Sequence, residues 1–492
     1  MTACGCCVMI NRVMNMDKHA ESLSPLIAAL SDYTEGRSLP MHMPGHKRRG
    51  GGIFGPIYGL DITEIDGFDD LHRPRGILLR CQERAARLWG SGRCFFLVGG
   101  STCGILAAVR AAARRGDTVI MARNCHRSVY HAVELCGLSP VYLFPETDAE
   151  TGIAGSIAPE QVKKALAEHP GAGLVILTSP TYEGVISDVA GIANAAHAAG
   201  VPVLIDAAHG AHLGLSPYFP GGAVGAGADI VIMSLHKTLP ALTQCALAHV
   251  SGGLVDPDRL ARELSVFETS SPSYVLMSSI DLCVGTLESG GGALFADYSR
   301  ALGEFYGQTE GLEKLKVLAP RGGAAHPAFF GFDRGKLVIG TRRAGLTGGE
   351  LAEALRQRDQ IEVEMAWTNY LVAMTSLCDT PDTLGRFAGA LLEIDRELDG
   401  TAVLTAPVPD IRPEIRLGAG EAVLLEGENL PLWAARGRMA LEYIWAYPPG
   451  IPVVVPGEIL TAGVLEALRA MAGSGVAVTT SSGSGEVIRC TL

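Results

Sequence analysis

The sequence contains no run of about 18 consecutive apolar residues, the length that a membrane-spanning helix needs, so no membrane segment is predicted. It also lacks an excess of basic side chains, since 40 Lys and Arg stand against 52 Asp and Glu, a formal charge of -12. This balance argues against a nucleic-acid partner, which needs a basic surface. With 48% apolar and 19% charged residues, the composition is that of a folded protein.

Cysteine patterning excludes two further classes. The 12 cysteines are scattered singly apart from Cys4, Cys6 and Cys7, and no Cys-x-x-Cys pair recurs at zinc-binding spacing. Neither a metal site nor a disulfide scaffold is therefore predicted, and reduced thiols favour a cytoplasmic protein. The stretch from Met1 to Met16 lacks the apolar core and cleavage site of a signal peptide, and both methionines are compatible with a translation start.

Between Arg93 and Val250, short β-branched runs alternate with alanine-rich helical stretches, which is typical of an α/β fold with a mostly parallel, seven-stranded sheet. Such a sheet binds its ligand at the carboxyl ends of its strands. The predicted strands are Cys94–Val98, Thr118–Ala122, Pro140–Phe144, Gly173–Thr178, Pro202–Asp206, Asp229–Ser234 and Ala246–Val250. The predicted helices include Gly104–Arg115, Ser128–Leu135, Pro159–Glu168 and Val189–Ala199.

A chain of 492 residues is expected to form at least two packed units. We predict an N-terminal segment (1–40), a large ligand-binding domain (41–300), a smaller α+β domain (301–400) and a C-terminal domain (401–492). The Pro- and Thr-rich stretch Gly400–Pro413 is predicted to be a linker.

Two polar residues at the carboxyl ends of predicted strands indicate the chemistry. Lys237 comes just after an apolar strand, in Ser234-Leu-His-Lys237, and Asp206 ends another strand. If these strands are neighbours, both side chains open onto one crevice. An amine that bonds to an aldehyde and an acid that keeps a ring nitrogen protonated are what pyridoxal 5'-phosphate (PLP) requires. The glycine-rich turn Gly99–Gly104 supplies a third requirement, a helix amino terminus whose free N–H groups favour a phosphate.

The chain resembles the ornithine/lysine/arginine decarboxylase family of fold-type I, aminotransferase-like PLP enzymes, in its short form without the amino-terminal wing domain. The matching motifs run in family order from about Pro40 to Glu458. They are Met43-Pro-Gly-His-Lys47, Asp69-Asp-Leu-His-Arg-Pro-Arg-Gly76, Phe95-Phe-Leu-Val-Gly-Gly-Ser-Thr102, Arg123-Asn-Cys-His-Arg-Ser128, Thr178-Ser-Pro-Thr-Tyr182, Asp206-Ala-Ala-His-Gly-Ala-His212, Ser234-Leu-His-Lys-Thr-Leu-Pro240 and Tyr447-Pro-Pro-Gly450.

The resemblance implies a role for each matching position. Lys237 is expected to be the Schiff-base lysine and Asp206 the partner of the pyridinium nitrogen, with His126 over one ring face and His209 near the 3-oxygen. Lys237 or His236 is expected to return a proton to the substrate Cα. The positions implied to bind the phosphate are Gly100, Ser101, Thr102, Ser234 and His236, with a hydroxyl of Thr269–Ser273 completing a partner subunit's site.

Several alternatives stay open. His126 could be a structural or capping histidine, and Ser101 and Thr102 could be ordinary helix caps. His209 and His212 have the spacing of metal ligands, but no further Cys or carboxylate accompanies them in that segment, which disfavours zinc. The same scaffold could also support an aminotransferase or a side-chain lyase, whereas a non-catalytic relative would not need Lys237.

The expected reaction is decarboxylation of a basic L-amino acid to the corresponding amine and CO2 by a homodimer or a multiple of dimers, with a role in polyamine biosynthesis. Arginine is favoured as the substrate, followed by lysine or ornithine. The distal cation of such a substrate needs an acidic partner, for which Glu364 and Glu458 are candidates. Departures from the family pattern at Ala207, Leu235, Glu183 and Ile105 leave efficiency and substrate choice open.

Overall fold

The computed structural model describes residues 22–35, 40–44, 46–47, 54–148, 150–318, 326–399, 412–447, 450–473, 476–483 and 485–492. Most of the predicted linker at Gly400–Pro413 lies outside the described residues. The same holds for Met1, Met16 and Gly45, and for the two prolines that follow Tyr447.

The helices, numbered in chain order, account for most of the ordered secondary structure. They are α1 (Pro25–Glu35), α2 (Gly55–Leu60), α3 (Ile77–Trp89), α4 (Gly100–Ala112), α5 (Arg127–Cys136), α6 (Pro159–Glu168), α7 (Val189–Ala198), α8 (Leu235–Thr238), α9 (Pro257–Phe267), α10 (Tyr274–Gln308), α11 (Gly348–Asp359), α12 (Pro381–Glu397), α13 (Ala419–Ala422) and α14 (Ala462–Gly473).

The strands are numbered in the same way. They are β1 (Arg93–Leu97), β2 (Thr118–Ala122), β3 (Ser139–Leu143), β4 (Ala172–Thr178), β5 (Val185–Ile186), β6 (Val203–Asp206), β7 (Ile230–Ser234), β8 (Ala246–Val250), β9 (Lys316–Val317), β10 (Gly331–Phe332), β11 (Lys336–Gly340), β12 (Met365–Ala366), β13 (Tyr370–Met374), β14 (Glu428–Pro431), β15 (Ile444–Tyr447), β16 (Ile451–Val454), β17 (Ala477–Thr480) and β18 (Val487–Cys490).

The predicted α/β class and mostly parallel, seven-stranded sheet are confirmed. The predicted strands Thr118–Ala122 and Ala246–Val250 have the observed bounds, and the other five shift by one residue at one or both ends. Short apolar runs such as β2 form buried strands because both faces of a parallel sheet are covered. The described residues group into two compact units that alternate along the chain, whereas the division into four consecutive domains stays a prediction.

The first unit comprises the described residues up to Ala112, then Pro202–Ala301 and Ser376–Thr380. Its four strands lie in the order β1-β8-β7-β6. Strand β8 is antiparallel to both of its neighbours, and β6 and β7 are parallel. Every residue of β6, β7 and β8 is buried, so that polar groups reach solvent mainly beyond the strand ends.

The second unit comprises Ala113–Val201, Leu302–Thr375 and the described residues from Pro381 onward. Its part of the large sheet has the parallel order β4-β2-β3. Antiparallel strands in the order β12-β13-β11-β9, together with α11 and α12, form the predicted α+β region. The C-terminal region forms a core of its own from β15, β16, α14 and their neighbours.

Helix α4 starts four residues earlier than the sequence predicts, whereas α5 starts only one residue earlier. Helix α4 was expected to begin at Gly104, but it begins at Gly100, whose φ is 74°. Gly104 lies inside the helix, where a Cβ would stand 2.5 Å from Leu97 Cδ1 and 3.3 Å from Ile232. This glycine therefore allows close helix-to-strand packing and does not mark a helix start. The earlier start places Ser101 and Thr102 in the first helical turn.

Among the helices of the described residues, none combines the length and the apolar character that a bilayer crossing requires.

Candidate active site

The two strands that carry Asp206 and Lys237 are adjacent and parallel. Asp206 is the last residue of β6 and pairs in register with Ile232 of β7. Strand β7 continues for two residues to Ser234 and leads into the short helix α8, which carries Lys237. Since the carboxyl ends of parallel strands meet at one edge, both side chains lie at the same edge of the sheet. The register shows that the two strands are neighbours, which is the condition for a shared crevice, whereas the roles of Asp206 and Lys237 stay predictions.

The surroundings of Asp206 and Lys237 are polar but largely enclosed. Asp206 is only 3% exposed, and its Oδ1 accepts a hydrogen bond from the Ala208 N–H at 3.1 Å. Burial raises the pKa of the Asp206 carboxyl, while the positive charge of Lys237 acts in the opposite direction. Lys237 Nζ lies 3.0 Å from Nε2 of the buried His209. An amine, a carboxylate and an imidazole thus share one enclosed site.

His236 is held in one tautomer by the backbone. Its Nδ1 lies 3.0 Å from the Cys245 carbonyl, which can only accept, so Nδ1 carries the proton. The same carbonyl also accepts the Leu235 N–H at 3.0 Å. Burial is the main cause that lowers the pKa of His236, and the charge of Lys237 lowers it further. The imidazole is therefore neutral at pH 7, with a lone pair on Nε2.

Two of the predicted phosphate-binding positions, Ser101 and Ser234, are in contact at the start of α4. Ser101 Oγ lies 2.7 Å from Ser234 Oγ, so the first turn of α4 is joined to the end of β7. Ser101 is partly buried and Thr102 is exposed. Gly100 takes a left-handed conformation that residues with a Cβ rarely adopt. Hydroxyls and first-turn N–H groups converge here, the arrangement that favours an anion.

The other histidines singled out in the sequence have structural contacts. His126, in the second unit, caps α5: its Nδ1 accepts the Ser128 N–H at 3.3 Å and lies 2.8 Å from Ser128 Oγ. Its place over a cofactor ring stays a prediction. His212 packs edge-on against Phe219, with ring centroids 4.9 Å apart. Within the described ranges, no group of three or more His, Cys, Asp or Glu is placed to hold a metal ion.

Some contributors to these sites were not predicted. The Cys245 carbonyl and the Glu268 carboxylate both bind backbone N–H groups near the predicted ligands. Glu458, a candidate for substrate binding, is only 2% exposed and pairs with Arg123 at 3.4 Å. A sequence signal existed for Arg123, a cation directly after the apolar strand β2, and for Glu268, which immediately precedes the Thr269–Ser273 motif.

The fold and the strand-end site define the class, an aminotransferase-like α/β protein. An alanine–glyoxylate aminotransferase of Nostoc sp. has a TM-score of 0.51 to this chain at 14% identity, covering 64% of this chain and 86% of that one. The lysine decarboxylase LdcF of Francisella novicida has a TM-score of 0.81 at 18% identity, covering 96% and 82%.

Sequence comparison identifies the family. The family model "Orn/Lys/Arg decarboxylase, major domain" matches residues 24–304, and the model of the C-terminal domain matches residues 402–475. An arginine decarboxylase of Bacillus subtilis is 34% identical over 449 residues, which cover 89% of this chain and 91% of that protein. The chain belongs to the Orn/Lys/Arg decarboxylase family, and the resemblance found in its motifs is confirmed. The family and this relative are amino acid decarboxylases.

Proposed function

We propose that this protein is a PLP-dependent arginine decarboxylase, which converts L-arginine to agmatine and CO2. The observation that carries the proposal is the pairing of β6 and β7, which brings the buried Asp206 and the amine of Lys237 to one sheet edge. The identity of 34% to an arginine decarboxylase over most of both chains supports the choice of substrate.

The donor set of the first unit fits PLP in three respects. A lysine amine is available for the aldehyde carbon at Lys237, and a buried carboxylate is available for the ring nitrogen at Asp206. The first turn of α4 and Ser234 offer N–H and hydroxyl groups to the phosphate. Gly99 keeps this turn narrow, because a Cβ there would stand 2.8 Å from Cys103 Sγ. These are the groups that we propose hold the cofactor.

When bound, PLP supplies an electron sink conjugated with the substrate Cα. Asp206 would hold a proton on the ring nitrogen, and the positive charge of Lys237 opposes the burial that raises the pKa of its carboxyl. Loss of CO2 leaves an electron pair at Cα that must take up one proton. His236 is a poor proton donor, because its only proton is engaged with the Cys245 carbonyl. We therefore assign delivery of that proton to Lys237 Nζ, which His209 orients at 3.0 Å.

For the distal guanidinium we retain Glu364 as the candidate. Its carboxylate is exposed and accepts a hydrogen bond from the Tyr182 hydroxyl. Glu458 is less suitable, since its carboxylate already binds Arg123 and the Val455 N–H. A carboxylate presented to arginine can accept two parallel hydrogen bonds, which an ammonium group cannot match.

The proposal also covers the oligomeric state, the cellular location and the metabolic role of the enzyme. The family resemblance supports a homodimer or a multiple of dimers, in which a hydroxyl of Thr269–Ser273 completes the partner's phosphate site. His126 is proposed to lie over the cofactor ring on the same ground. The scattered cysteines support a cytoplasmic location. The expected product, an amine, is consistent with polyamine biosynthesis.

The lysine assignment can be tested on the purified protein. The full chain is expected to bind PLP with a yellow colour, and borohydride reduction followed by peptide mapping should place the modification on Lys237. The matched variant Lys237→Arg keeps the positive charge and should lose the colour without losing its fold, as circular dichroism would show. Modification of a different lysine in the wild type would disprove the assignment.

Substrate and reaction are tested together by supplying carboxyl-labelled arginine, lysine and ornithine side by side. Release of labelled CO2 is expected to be fastest from arginine. If CO2 comes instead from lysine, the decarboxylase proposal holds but the substrate assignment is wrong. Formation of a keto acid without CO2 would favour the aminotransferase alternative.

A further inference from the structure

Glu268 lies directly behind the turn that is proposed to bind the phosphate. It follows α9, and its partly buried Oε1 accepts the N–H of Val98 at 2.8 Å and that of Gly99 at 3.4 Å. The thiol of Cys103, in the first turns of α4, lies 3.8 Å from the same oxygen. One carboxylate oxygen thus gathers donors from both sides of the Gly99–Gly104 turn.

These contacts fix where the turn begins. The N–H groups of Val98 and Gly99 follow the last hydrogen-bonded residue of β1 and precede α4, so neither the sheet nor the helix supplies their acceptor. A buried N–H without an acceptor is destabilising, because it has given up its hydrogen bond to water without gaining another. The space is also narrow, since a Cβ on Gly99 would stand 2.8 Å from Cys103 Sγ. Withdrawal of Oε1 would therefore leave two donors unpaired in a crowded turn.

A second contact connects this arrangement with a sequence motif that has no other assigned role. His72, in the Asp69–Gly76 motif, lies with its Nε2 2.8 Å from the Thr269 carbonyl and so fixes the residue after Glu268. Burial raises the pKa of Glu268, and the nearby His72 opposes this shift. The charged or titratable groups facing the carboxylate are His72 and the Cys103 thiol, whose pKa burial also raises.

We propose that Glu268 is a positioning residue for the phosphate: its Oε1 holds the Val98 and Gly99 N–H groups and so sets the first turn of α4. This inference rests on the proposed function, because the phosphate belongs to PLP. The role depends on the place of an acceptor oxygen and does not need a negative charge, which would repel a phosphate dianion. Glutamine at position 268 should therefore keep the first turn of α4 in place, whereas aspartate should not.

Two conservative variants of the full-length protein separate the effect of the oxygen's position from the effect of the negative charge. Glu268→Gln keeps an oxygen at the Oε1 position and removes the charge, whereas Glu268→Asp keeps the charge and withdraws the oxygen by one methylene. Dissociation constants of PLP and of pyridoxal, which lacks the phosphate, are measured on the cofactor-free protein by absorbance titration. The ratio of the two constants reports the contribution of the phosphate and is independent of turnover.

A matched control comes from the same pair of helices. Glu263 of α9 is also buried, but it accepts a hydrogen bond from Arg110 Nε at 2.7 Å, far along α4 from the turn. Glu263→Gln tests whether general loosening between α9 and α4 is enough to alter the ratio. The thermal unfolding midpoint of each variant is recorded beside the binding constants.

We expect Glu268→Asp to reduce the preference for PLP over pyridoxal about tenfold, which corresponds to about 1.4 kcal/mol. Glu268→Gln and Glu263→Gln should stay within about threefold of the wild type. Equal ratios in all proteins, or a loss in Glu268→Gln as large as in Glu268→Asp, would overturn the inference. Even if Glu268→Asp failed to fold, a lost preference in Glu268→Gln would overturn it. If the wild type binds no PLP, the proposed function itself fails.

Discussion

Arg123 and Glu458 provide a stability test that also decides between two roles for Glu458. Arg123 Nη1 donates to the Tyr130 hydroxyl at 2.9 Å and to the Pro452 carbonyl at 2.7 Å. Its Nη2 donates to the Val453 carbonyl at 3.1 Å and lies 3.4 Å from both oxygens of Glu458. The network ties the residue after β2 to the strand β16. We therefore expect Glu458 to have a structural role.

The expected cost in unfolding free energy depends on which buried groups each substitution leaves without a partner. Arg123→Met leaves Glu458, which is 2% exposed, without its cation, a situation that typically costs about 3–5 kcal/mol of unfolding free energy. Glu458→Gln is expected to cost less, about 1–2 kcal/mol, because an amide oxygen can still accept from Arg123, which also keeps its three neutral acceptors. The double variant should cost less than the sum, because both changes remove one shared interaction.

Urea unfolding of the four proteins, followed by circular dichroism, measures these differences. Arg358→Met is the control, since Arg358 binds Glu397 at 2.7 and 3.0 Å but both side chains are exposed, and an exposed pair contributes about 0–1 kcal/mol. A cost for Arg123→Met as small as that of the control would refute the reasoning. So would a Glu458→Gln variant of unchanged stability that discriminates less between arginine and lysine, because Glu458 would then bind substrate.

Two further predictions concern Asp206 and Gly104. Burial raises the pKa of Asp206, so this carboxyl contributes stability that is present at low pH and lost as the pH rises through its pKa in the folded protein. In the cofactor-free protein, Asp206→Asn should therefore become more stable relative to the wild type as the pH rises above 3.8, the ordinary pKa of the group. Urea unfolding midpoints of both proteins at pH 4 and pH 7 measure this difference. The opposite trend would contradict the prediction. Gly104→Ala should destabilise the protein by about 1–3 kcal/mol, because its Cβ would stand 2.5 Å from Leu97 Cδ1; an unchanged unfolding midpoint would show that the helix moves away freely.

The strands of the large sheet were easier to predict than the start of α4. The run Thr118–Ala122 is apolar, β-branched and short, and its length and composition leave little choice of structure. Helix α4 was misplaced by four residues because glycines at 99, 100 and 104 resemble a loop in the sequence. Only the structure shows that Gly100 opens the helix with a positive φ, whereas Gly104 is needed for close packing inside it.

Some residues of the candidate site could likewise be predicted from the sequence, and others could not. The approach of Asp206 and Lys237 to one sheet edge could be predicted, because Asp206 ends β6, Lys237 follows β7, and neighbouring parallel strands bring such positions together. The contribution of Cys245 is a backbone carbonyl, which any residue type supplies, so its side chain carries no signal. Glu458 has the right charge for a substrate ligand, but the sequence could not show that Arg123, 335 positions away, already binds it.

The alternation of the two units along the chain has a practical consequence. The first unit is assembled from segments that end at Ala112, from Pro202–Ala301 and from Ser376–Thr380, and the second unit takes up the intervening stretches. No single cut in the gene separates one unit from the other, and a truncated clone that stops after the major-domain match at residue 304 would break both. Attempts to express a minimal cofactor-binding fragment should therefore begin from the whole reading frame.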